Sequence, residues 1–309
     1  MDYFYDACFE AADRCAIRAA ADTSSADIKK RIDKLIADLD EAPVSFVQGK
    51  YIRAVTGNDV RGSFFASVYK PIGLFPRQAR LLAEALEGNF TLLMENADIP
   101  RIQDSCATDN ITLPLPTSDG LYAIACNDAA DAPERSLEYY QGVIKQLKSD
   151  SDMVGARWAQ IPIQCLGLQG RAKWRFPGPW ATPPADPSLK EGIPAAPMLL
   201  LTTRLDPVTP LVNAHRMSSG HPGSAVVIQE SVGHCAVPSG WSDCTNQILR
   251  DYFEHGVVPK NGTVCTSTCK PWQEKECGLE LQSTGLFGPG DGHSWPEDSW
   301  FDRRFPLGI

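Results

Sequence analysis

The chain has 309 residues, 43% of them hydrophobic and 22% charged, with a formal net charge of −9 at pH 7. That length suits one large domain or two smaller ones, and the composition is ordinary for a soluble globular protein. The acidic balance, without a basic stripe to offset it, disfavours a nucleic-acid or anionic-membrane partner, and no run approaches the roughly 18 apolar residues of a membrane span.

Residues 1 to about 150 carry a mostly helical pattern. An amphipathic helix is predicted from Ser25 until Pro43, and further helices are predicted over 76–87 and 132–148. The helix from Ser25 places five apolar side chains on one stripe, namely Ile28, Ile32, Leu35, Ile36 and Leu39.

Between and after these helices the pattern is less regular. A loop is predicted over 100–120, followed by a short apolar piece over 121–128. Residues 155–196 contain many Gly, Pro and Trp residues, which indicates an ordered connector rather than a regular element.

A strand–helix–strand unit follows, with one acid and one histidine at the strand ends. The apolar run from Pro197 predicts a strand buried on both faces that ends at Asp206. Residues 208–219 are enough for one crossover helix, and a second apolar run at 224–229 leads to His234. This order is typical of the closing half of an α/β-hydrolase, whose triad runs Ser, then Asp, then His.

A helix is predicted over 242–256, and the last forty residues form an irregular stretch rich in Gly, Pro and Trp. The chain also has 10 cysteines without the paired spacing of a zinc site, so disulfides are the better interpretation. Sequons at Asn89, Asn110 and Asn261 agree with a secretory route.

The N-terminus does not fit that route. It opens with an acidic segment and has no basic lead followed by an apolar core, so we expect no signal peptide in these residues. We therefore expect a secreted protein whose front is missing; an export route that needs no such signal is the alternative.

Several short segments occur in a specific order and spacing over residues 120–272. They are YAIACND at 122–128, LLLTTRLDPVTP at 199–210, NAHRM at 213–217, PGSAVV at 222–227, GHC at 233–235, CT at 244–245, YFEHGVVP at 252–259 and NGTVC at 261–265. Together they resemble the C-terminal half of the fungal and bacterial tripeptidyl-aminopeptidase-like α/β-hydrolases. The resemblance over residues 1–118 is limited to helical character and the region of Cys8 and Cys15.

The resemblance implies an α/β chain with a partial α/β-hydrolase fold. Residues 1–150 would form a mainly helical cap, or lid. Residues 151–275 would supply the last two parallel core strands with flanking helices, and residues 276–309 an irregular tail.

Two residues are the candidate catalytic groups. Asp206 would accept the Nδ1–H of the histidine and stabilise its imidazolium, and His234 would carry the proton between a serine and the leaving group. The alternative for Asp206 is a turn aspartate that caps the following helix. The remaining histidines are read as surface or helix-end residues: His215, His221, His255 and His293.

The nucleophile of such a triad is absent from the sequence. The family carries it in G-x-S-x-G on a strained turn between a strand and a helix, and no such pentapeptide occurs here. In the nearest matches, Ser242 is better explained as a helix N-cap, and Ser294 has no strand before it. The thiol of Cys235 is rejected as a nucleophile because it is adjacent to His234 on one loop.

Spacing alone does not determine disulfide connectivity. The preferred pairs are Cys8–Cys15, Cys126–Cys165 and Cys244–Cys265. Glu95 and Asp98 would hold a peptide's free amine if the cap resembles aminopeptidase caps, but a solvated loop is the simpler interpretation.

The resulting hypothesis is the C-terminal portion of a secreted serine exopeptidase that lacks its nucleophile-bearing half and is inactive alone. Once completed, it would act on a peptide, or a small ester or amide, without metal or organic cofactor. One alternative is a non-catalytic interaction module that associates with its own copies through an exposed sheet edge. Another is a biosynthetic hydrolase for a small-molecule ester, lactone or amide.

Overall fold

The structure, a computed structural model, describes residues 1–48, 51–95, 117–128, 135–167, 170, 173–174, 180–184, 188, 192–194 and 196–273. Within these ranges no helix combines the length and apolarity needed to cross a membrane. The predicted tail over 276–309 lies outside the described residues.

Helices dominate the first part of the chain. In order, its elements are α1 (Asp2–Ala11), α2 (Ser25–Glu41), β1 (Val44–Gln48), β2 (Tyr51–Val55), α3 (Gly57–Tyr69), α4 (Pro71–Leu86), α5 (Thr91–Glu95), α6 (Thr117–Asp128), α7 (Leu137–Asp150), α8 (Gly155–Trp158) and α9 (Gln160–Gln164).

Local sequence explains where α2 begins and which face it buries. Ser24 and Asp27 form a reciprocal capping box at its N-terminus, which satisfies backbone N–H groups that have no partner within the helix. The predicted apolar stripe is confirmed, since four of its five members are buried and Leu35 packs partly against the same core.

Three predictions in this region are wrong in detail. Helix α4 begins at Pro71, five residues before the predicted start, and Pro76 lies in its interior. Pro71 occupies the first turn, a position that favours proline. The loop predicted over 100–120 ends early, because helix α6 begins at Thr117 and includes the apolar piece over 121–128, while residues 100–116 lie outside the described residues. The helix predicted from residue 132 begins at Leu137, where the side chain of Ser136 accepts a hydrogen bond from the Tyr139 N–H.

The second part of the chain forms a parallel sheet. Its elements are β3 (Leu199–Leu205), α10 (Leu211–Ser219), β4 (Ala225–Val232), α11 (Asp243–His255) and β5 (Thr263–Thr266). Within the described residues the strand order is β3–β4–β5, with both pairings parallel.

This sheet confirms the α/β class and corrects two expectations. Two core strands were expected, and β5 adds a third; its four residues are too few to give a periodic signal. Strand β4 is almost wholly buried, whereas β3 buries only Thr202 and Thr203 fully. The prediction of burial on both faces therefore holds for β4 and is wrong for β3.

The main core lies among the N-terminal helices and includes a residue from far along the chain. Trp272 packs against the rings of Phe4 and Phe75, with centroid distances of 6.1 and 6.2 Å. The guanidinium of Arg14 donates to the Trp272 carbonyl oxygen at 2.6 Å. These contacts cross the boundary predicted between residues 1–150 and 151–275.

All three preferred disulfides are present among the described residues: Cys8–Cys15, Cys126–Cys165 and Cys244–Cys265. The last of them ties α11 to β5. Disulfides of this kind are compatible with a secreted or extracellular protein.

Candidate functional site

The sheet topology brings Asp206 and His234 together. Strands β3 and β4 are parallel neighbours, so their carboxyl ends lie at the same edge of the sheet. Asp206 directly follows β3, and His234 follows β4 after one glycine. The Nδ1 atom of His234 lies 3.2 Å from Oδ1 and 3.3 Å from Oδ2 of Asp206.

The carboxylate of Asp206 is buried and fully engaged. Its Oδ1 accepts from the backbone N–H groups of Val208 and Thr209, each at 2.8 Å. Its Oδ2 accepts from the Thr209 hydroxyl at 2.9 Å and from the Cys235 N–H at 3.0 Å. Asp206 therefore does cap its own turn, as the alternative interpretation held, and it also faces the histidine.

These contacts determine the charge of the acid. Burial raises the pKa of Asp206, but the hydrogen bonds from Cys235, Thr209 and Val208 outweigh it and hold the pKa below its ordinary value. The residue is 6% exposed and is ionised at neutral pH. A carboxylate that accepts a hydrogen bond from Nδ1 leaves Nε2 of His234 as the unprotonated, basic nitrogen.

Besides Asp206, the imidazole has a second neighbour. The ring of Tyr69 meets it edge-on with centroids 5.3 Å apart, and the Tyr69 carbonyl oxygen accepts from the His234 backbone N–H at 3.0 Å. No described residue forms a hydrogen bond with Nε2. Because the side chain is 27% exposed, Nε2 is available to a reacting group.

The loop that carries His234 has an unusual backbone. Gly233 has φ +113°, and a Cβ placed there would lie 2.7 Å from Cδ of Pro71 and 3.0 Å from the Tyr69 oxygen. Cys235 adopts φ +66°, which non-glycine residues rarely do. Only glycine permits this close approach between the histidine loop and the junction of α3 and α4.

A buried amide supports the far side of the same loop. Gln229, in β4, is 1% exposed, and its Nε2 donates to the carbonyl oxygens of Ala236 at 2.9 Å and Gly240 at 3.0 Å. Its Oε1 accepts from the Thr245 hydroxyl at 2.8 Å. Gln229 thus joins the strand, the histidine loop and the start of α11.

Three residues that support the site were not predicted from the sequence: Thr209, Tyr69 and Gln229. Thr209 follows Asp206 by three positions, and the D-x-x-T spacing typical of a capped turn is a signal that finds it. Tyr69 and Gln229 carry no local signal, because their partners lie far away along the chain or on another element.

The other hydroxyl and thiol candidates do not supply a nucleophile. Ser242 is the N-cap of α11, as predicted, and its Oγ accepts from the Thr245 N–H at 3.3 Å. Cys235 is an exposed residue, but partial desolvation of its sulfur and the charge of Asp206 raise the pKa of the thiol, which disfavours the reactive thiolate. Ser294 lies outside the described residues.

The remaining candidates are not part of this site. Glu95 is an exposed residue at the end of α5, and Asp98 lies outside the described residues. In the parts of the chain that the structure describes, no group of acidic, histidine or cysteine side chains has the arrangement of a metal site. His215 is exposed on α10 and His255 ends α11, while His221 Nδ1 contacts the Thr182 hydroxyl at 2.8 Å.

Comparison with known proteins agrees with the fold of this part. Residues 151–265 match the family model described as TAP-like protein, an α/β-hydrolase family. The matched segment contains β3, β4, Asp206 and His234. No curated protein matches the chain. The resemblance is thereby confirmed for the C-terminal part, and the catalytic roles of the two residues stay a prediction.

Proposed function

We propose that Asp206 and His234 are the acid and base of a serine hydrolase, in keeping with the match of residues 151–265 to the TAP-like α/β-hydrolase family model. The observation that carries the proposal is the contact between His234 Nδ1 and the ionised carboxylate, at 3.2 and 3.3 Å, where two neighbouring parallel strands end. This is the arrangement in which an acid fixes the tautomer of a catalytic histidine.

The chemistry follows from that tautomer. Nε2 takes the proton of a serine hydroxyl as its oxygen attacks the substrate's carbonyl carbon, and the imidazolium then gives the proton to the leaving group. Water cleaves the acyl-enzyme with the same histidine as base. Asp206 stays ionised throughout and stabilises the imidazolium, for which its lowered pKa is suited.

The serine belongs to a segment outside these 309 residues. No G-x-S-x-G occurs in the sequence, and the hydroxyls of Ser239 and Ser242 engage backbone groups. Ser239 Oγ contacts the His234 carbonyl at 3.5 Å rather than its ring. Without the nucleophile only the small acceleration due to binding and any oxyanion donors remains, so we expect negligible hydrolysis by this chain alone.

The finer assignment is a secreted exopeptidase that resembles tripeptidyl aminopeptidases, acting on a peptide or a small ester or amide. The disulfides support an oxidising compartment. The sequon residues Asn89 and Asn261 are both exposed, as an attached glycan requires, and Asn110 lies outside the described residues.

A chimera tests the proposal. The chain is joined in frame to the N-terminal segment of a TAP-like hydrolase that carries G-x-S-x-G, and the product is treated with a fluorophosphonate probe. We expect labelling of that serine, and a loss of at least about a hundredfold in H234A and D206N. Phe253→Ala, at a residue 77% exposed on α11, is the matched control and should label normally.

Equal labelling of H234A and the parent would contradict the proposal. A second measurement does not depend on the chimera's folding: nitrogen NMR of the isolated chain should show His234 protonated at Nδ1, and D206N should lose this preference. A neutral histidine protonated at Nε2 in the parent would also overturn the assignment.

One observation favours a second candidate, a non-catalytic interaction module. Among the described residues, β3 pairs only with β4, so its other edge presents unpaired backbone groups, and Leu205 at its end is 49% exposed. A module of this kind would associate with a second copy through this edge. Sedimentation that shows a monomer at all attainable concentrations would contradict it.

A further inference from the structure

A row of aromatic rings leads from helix α8 to the imidazole of His234. Phe65 and Tyr69 are four residues apart on α3 and therefore share one face of that helix. The ring centroids are 6.0 Å apart between Trp158 and Phe65, and 5.3 Å apart between Phe65 and Tyr69. The distance from Tyr69 to His234 is again 5.3 Å, so the row is continuous up to the candidate base.

The row lies at the surface and adds nothing to the main core. Trp158 is 37% exposed, and Phe65 and Tyr69 are half-buried. The neighbouring Phe64 is fully buried on the other face of α3, where it packs edge-on against Phe4 at 5.2 Å. Of the three aromatic side chains of α3, Phe64 therefore packs in the core, whereas Phe65 and Tyr69 lie at the surface next to His234.

Local contacts hold the row in place beside the imidazole. The guanidinium of Arg157 lies 4.8 Å from the centroid of the Phe65 ring, a cation–π contact. The backbone hydrogen bond between His234 and Tyr69 fixes the end of the row to the histidine loop at 3.0 Å. A surface that is ordered before a ligand arrives loses little freedom on binding.

We propose that this row, Trp158, Phe65 and Tyr69, is the subsite for an aromatic side chain of the substrate next to the scissile bond. The inference rests on the proposed function of His234, because a carbonyl within reach of Nε2 brings the neighbouring side chain of the substrate to the end of the row. Aromatic rings bind one another edge-on or offset, so the row is complementary to another aromatic ring. The substrate class is therefore a peptide or acyl compound with a phenylalanine-like group beside the bond that is cleaved.

Binding to the isolated chain tests this subsite. The probes are N-acetyl-L-phenylalanine amide and N-acetyl-L-alanine amide, followed by NMR of the indole N–H of Trp158 and the ring nitrogens of His234. We expect the phenylalanine probe to shift both signals saturably and to bind roughly tenfold more tightly than the alanine probe. Phe65→Ala should abolish that preference, and Phe253→Ala, which removes an exposed ring on α11, should preserve it.

Equal affinity for the two probes, or a preference that survives in F65A, would overturn the inference. Shifts of Trp158 that follow the protein concentration rather than the probe would do the same, since a second copy would then occupy the row. If F65A fails to fold, Phe65→Leu keeps an apolar side chain without a ring and should still lose most of the preference.

The experiments distinguish failure of the proposed hydrolase function from failure of the proposed aromatic subsite. Probe preference without His234-dependent labelling of the chimera would contradict the proposed function and retain an aromatic binding surface. Labelling of the chimera without any preference between the probes would retain the hydrolase and exclude this subsite.

Discussion

At the level of single residues, the candidate acid and base owe their positions to backbone hydrogen bonds. Asp206 accepts three N–H groups and one hydroxyl besides the histidine, and His234 is held through its own N–H by Tyr69. Asp206 therefore caps its own turn and also contacts the histidine, so the two interpretations of this residue are compatible. The same contacts set the orientation of the carboxylate and its low pKa.

The lowered pKa of Asp206 predicts how its contribution to stability depends on pH. The ionised carboxylate stabilises the folded state, so its contribution is complete above the ordinary aspartate pKa of about 3.9 and is lost as the pH falls through the lower folded value. We expect D206N to lower the free energy of unfolding by about 1–3 kcal/mol at neutral pH. The gap between D206N and the parent should shrink only in acid, as measured by urea unfolding over a pH series.

Asp13→Asn, at an exposed residue, serves as the control for that series. A gap between D206N and the parent that stays constant down to strongly acidic pH would show that the charge of Asp206 contributes nothing to folding.

Alanine substitutions at two glycines distinguish the cost of backbone strain from the cost of a steric contact. Gly88 and Gly233 both have positive φ, but a Cβ at Gly88 meets nothing within 4 Å, whereas one at Gly233 lies 2.7 Å from Pro71. G88A should lose about 1–2 kcal/mol of unfolding free energy from backbone strain alone. G233A should lose a further 1–3 kcal/mol or so from the steric contact, measured by denaturant unfolding. Equal losses would mean that the loop moves away from Pro71 without cost.

Local sequence was sufficient to identify Asp206, His234 and the capping role of Ser242. Each stands at a strand end or helix start that the neighbouring residues already indicate. Tyr69 was missed because it reaches His234 only through the folded arrangement of α3 against the histidine loop. No pattern near residue 69 indicates that contact.

At the level of elements, strand β4 and helix α11 are joined through Gln229. Gln229→Leu would leave the carbonyl oxygens of Ala236 and Gly240 and the hydroxyl of Thr245 without this partner in a buried place. We expect a loss of about 2–4 kcal/mol in unfolding free energy, since each unsatisfied buried group costs about 1–3 kcal/mol and the loop relaxes in part. Urea unfolding measures it.

Glu230→Gln is the matched control on the same strand, because Glu230 is exposed and pairs with Arg204 at the surface. Such pairs contribute little, so E230Q should remain close to the parent. A Q229L protein as stable as E230Q would exclude a supporting role for the amide.

The elements found from sequence include helices with a long pattern, such as α2 and α11, and the strand–helix–strand unit β3–α10–β4, whose two strands are marked by apolar runs. The antiparallel pair β1–β2 and helix α3 were not predicted, and β5 was missed for its short length. The predicted range of 76–87 misses the first five residues of α4, because the apolar pattern that predicts the helix lies at 81–86, whereas the helix begins at Pro71 and continues through Pro76.

At the level of the whole molecule, the fold class and the connectivity of three disulfides agree with expectation. The division into residues 1–150 and 151–275 stays a prediction. Contacts at Trp272 and at the Tyr69–His234 junction connect the two parts directly. Neither contact is indicated by a local sequence pattern, because both join residues that are distant along the chain.

Trp272→Ala tests how far the two parts unfold together. The ring is 7% exposed and packs against Phe4 and Phe75, so its removal should lower the unfolding free energy by about 3–5 kcal/mol. Trp174→Ala, at a residue 80% exposed, should have little effect. We expect one shifted transition by both tryptophan fluorescence and circular dichroism.

Two separate transitions in W272A, with the second unchanged from the parent, would show that the parts fold independently and that Trp272 serves only one of them.

The closure of the N-terminal core by Trp272 affects how the chain folds during synthesis. Arg14 and its partner Trp272 are separated by 258 positions, so helices α1 to α4 leave the ribosome long before the ring that completes their core. Until then the face around Phe4 and Phe75 stays open to solvent in the nascent chain. We therefore expect the emerging polypeptide to need a chaperone, and translation that stops before residue 272 to release a protein prone to aggregate.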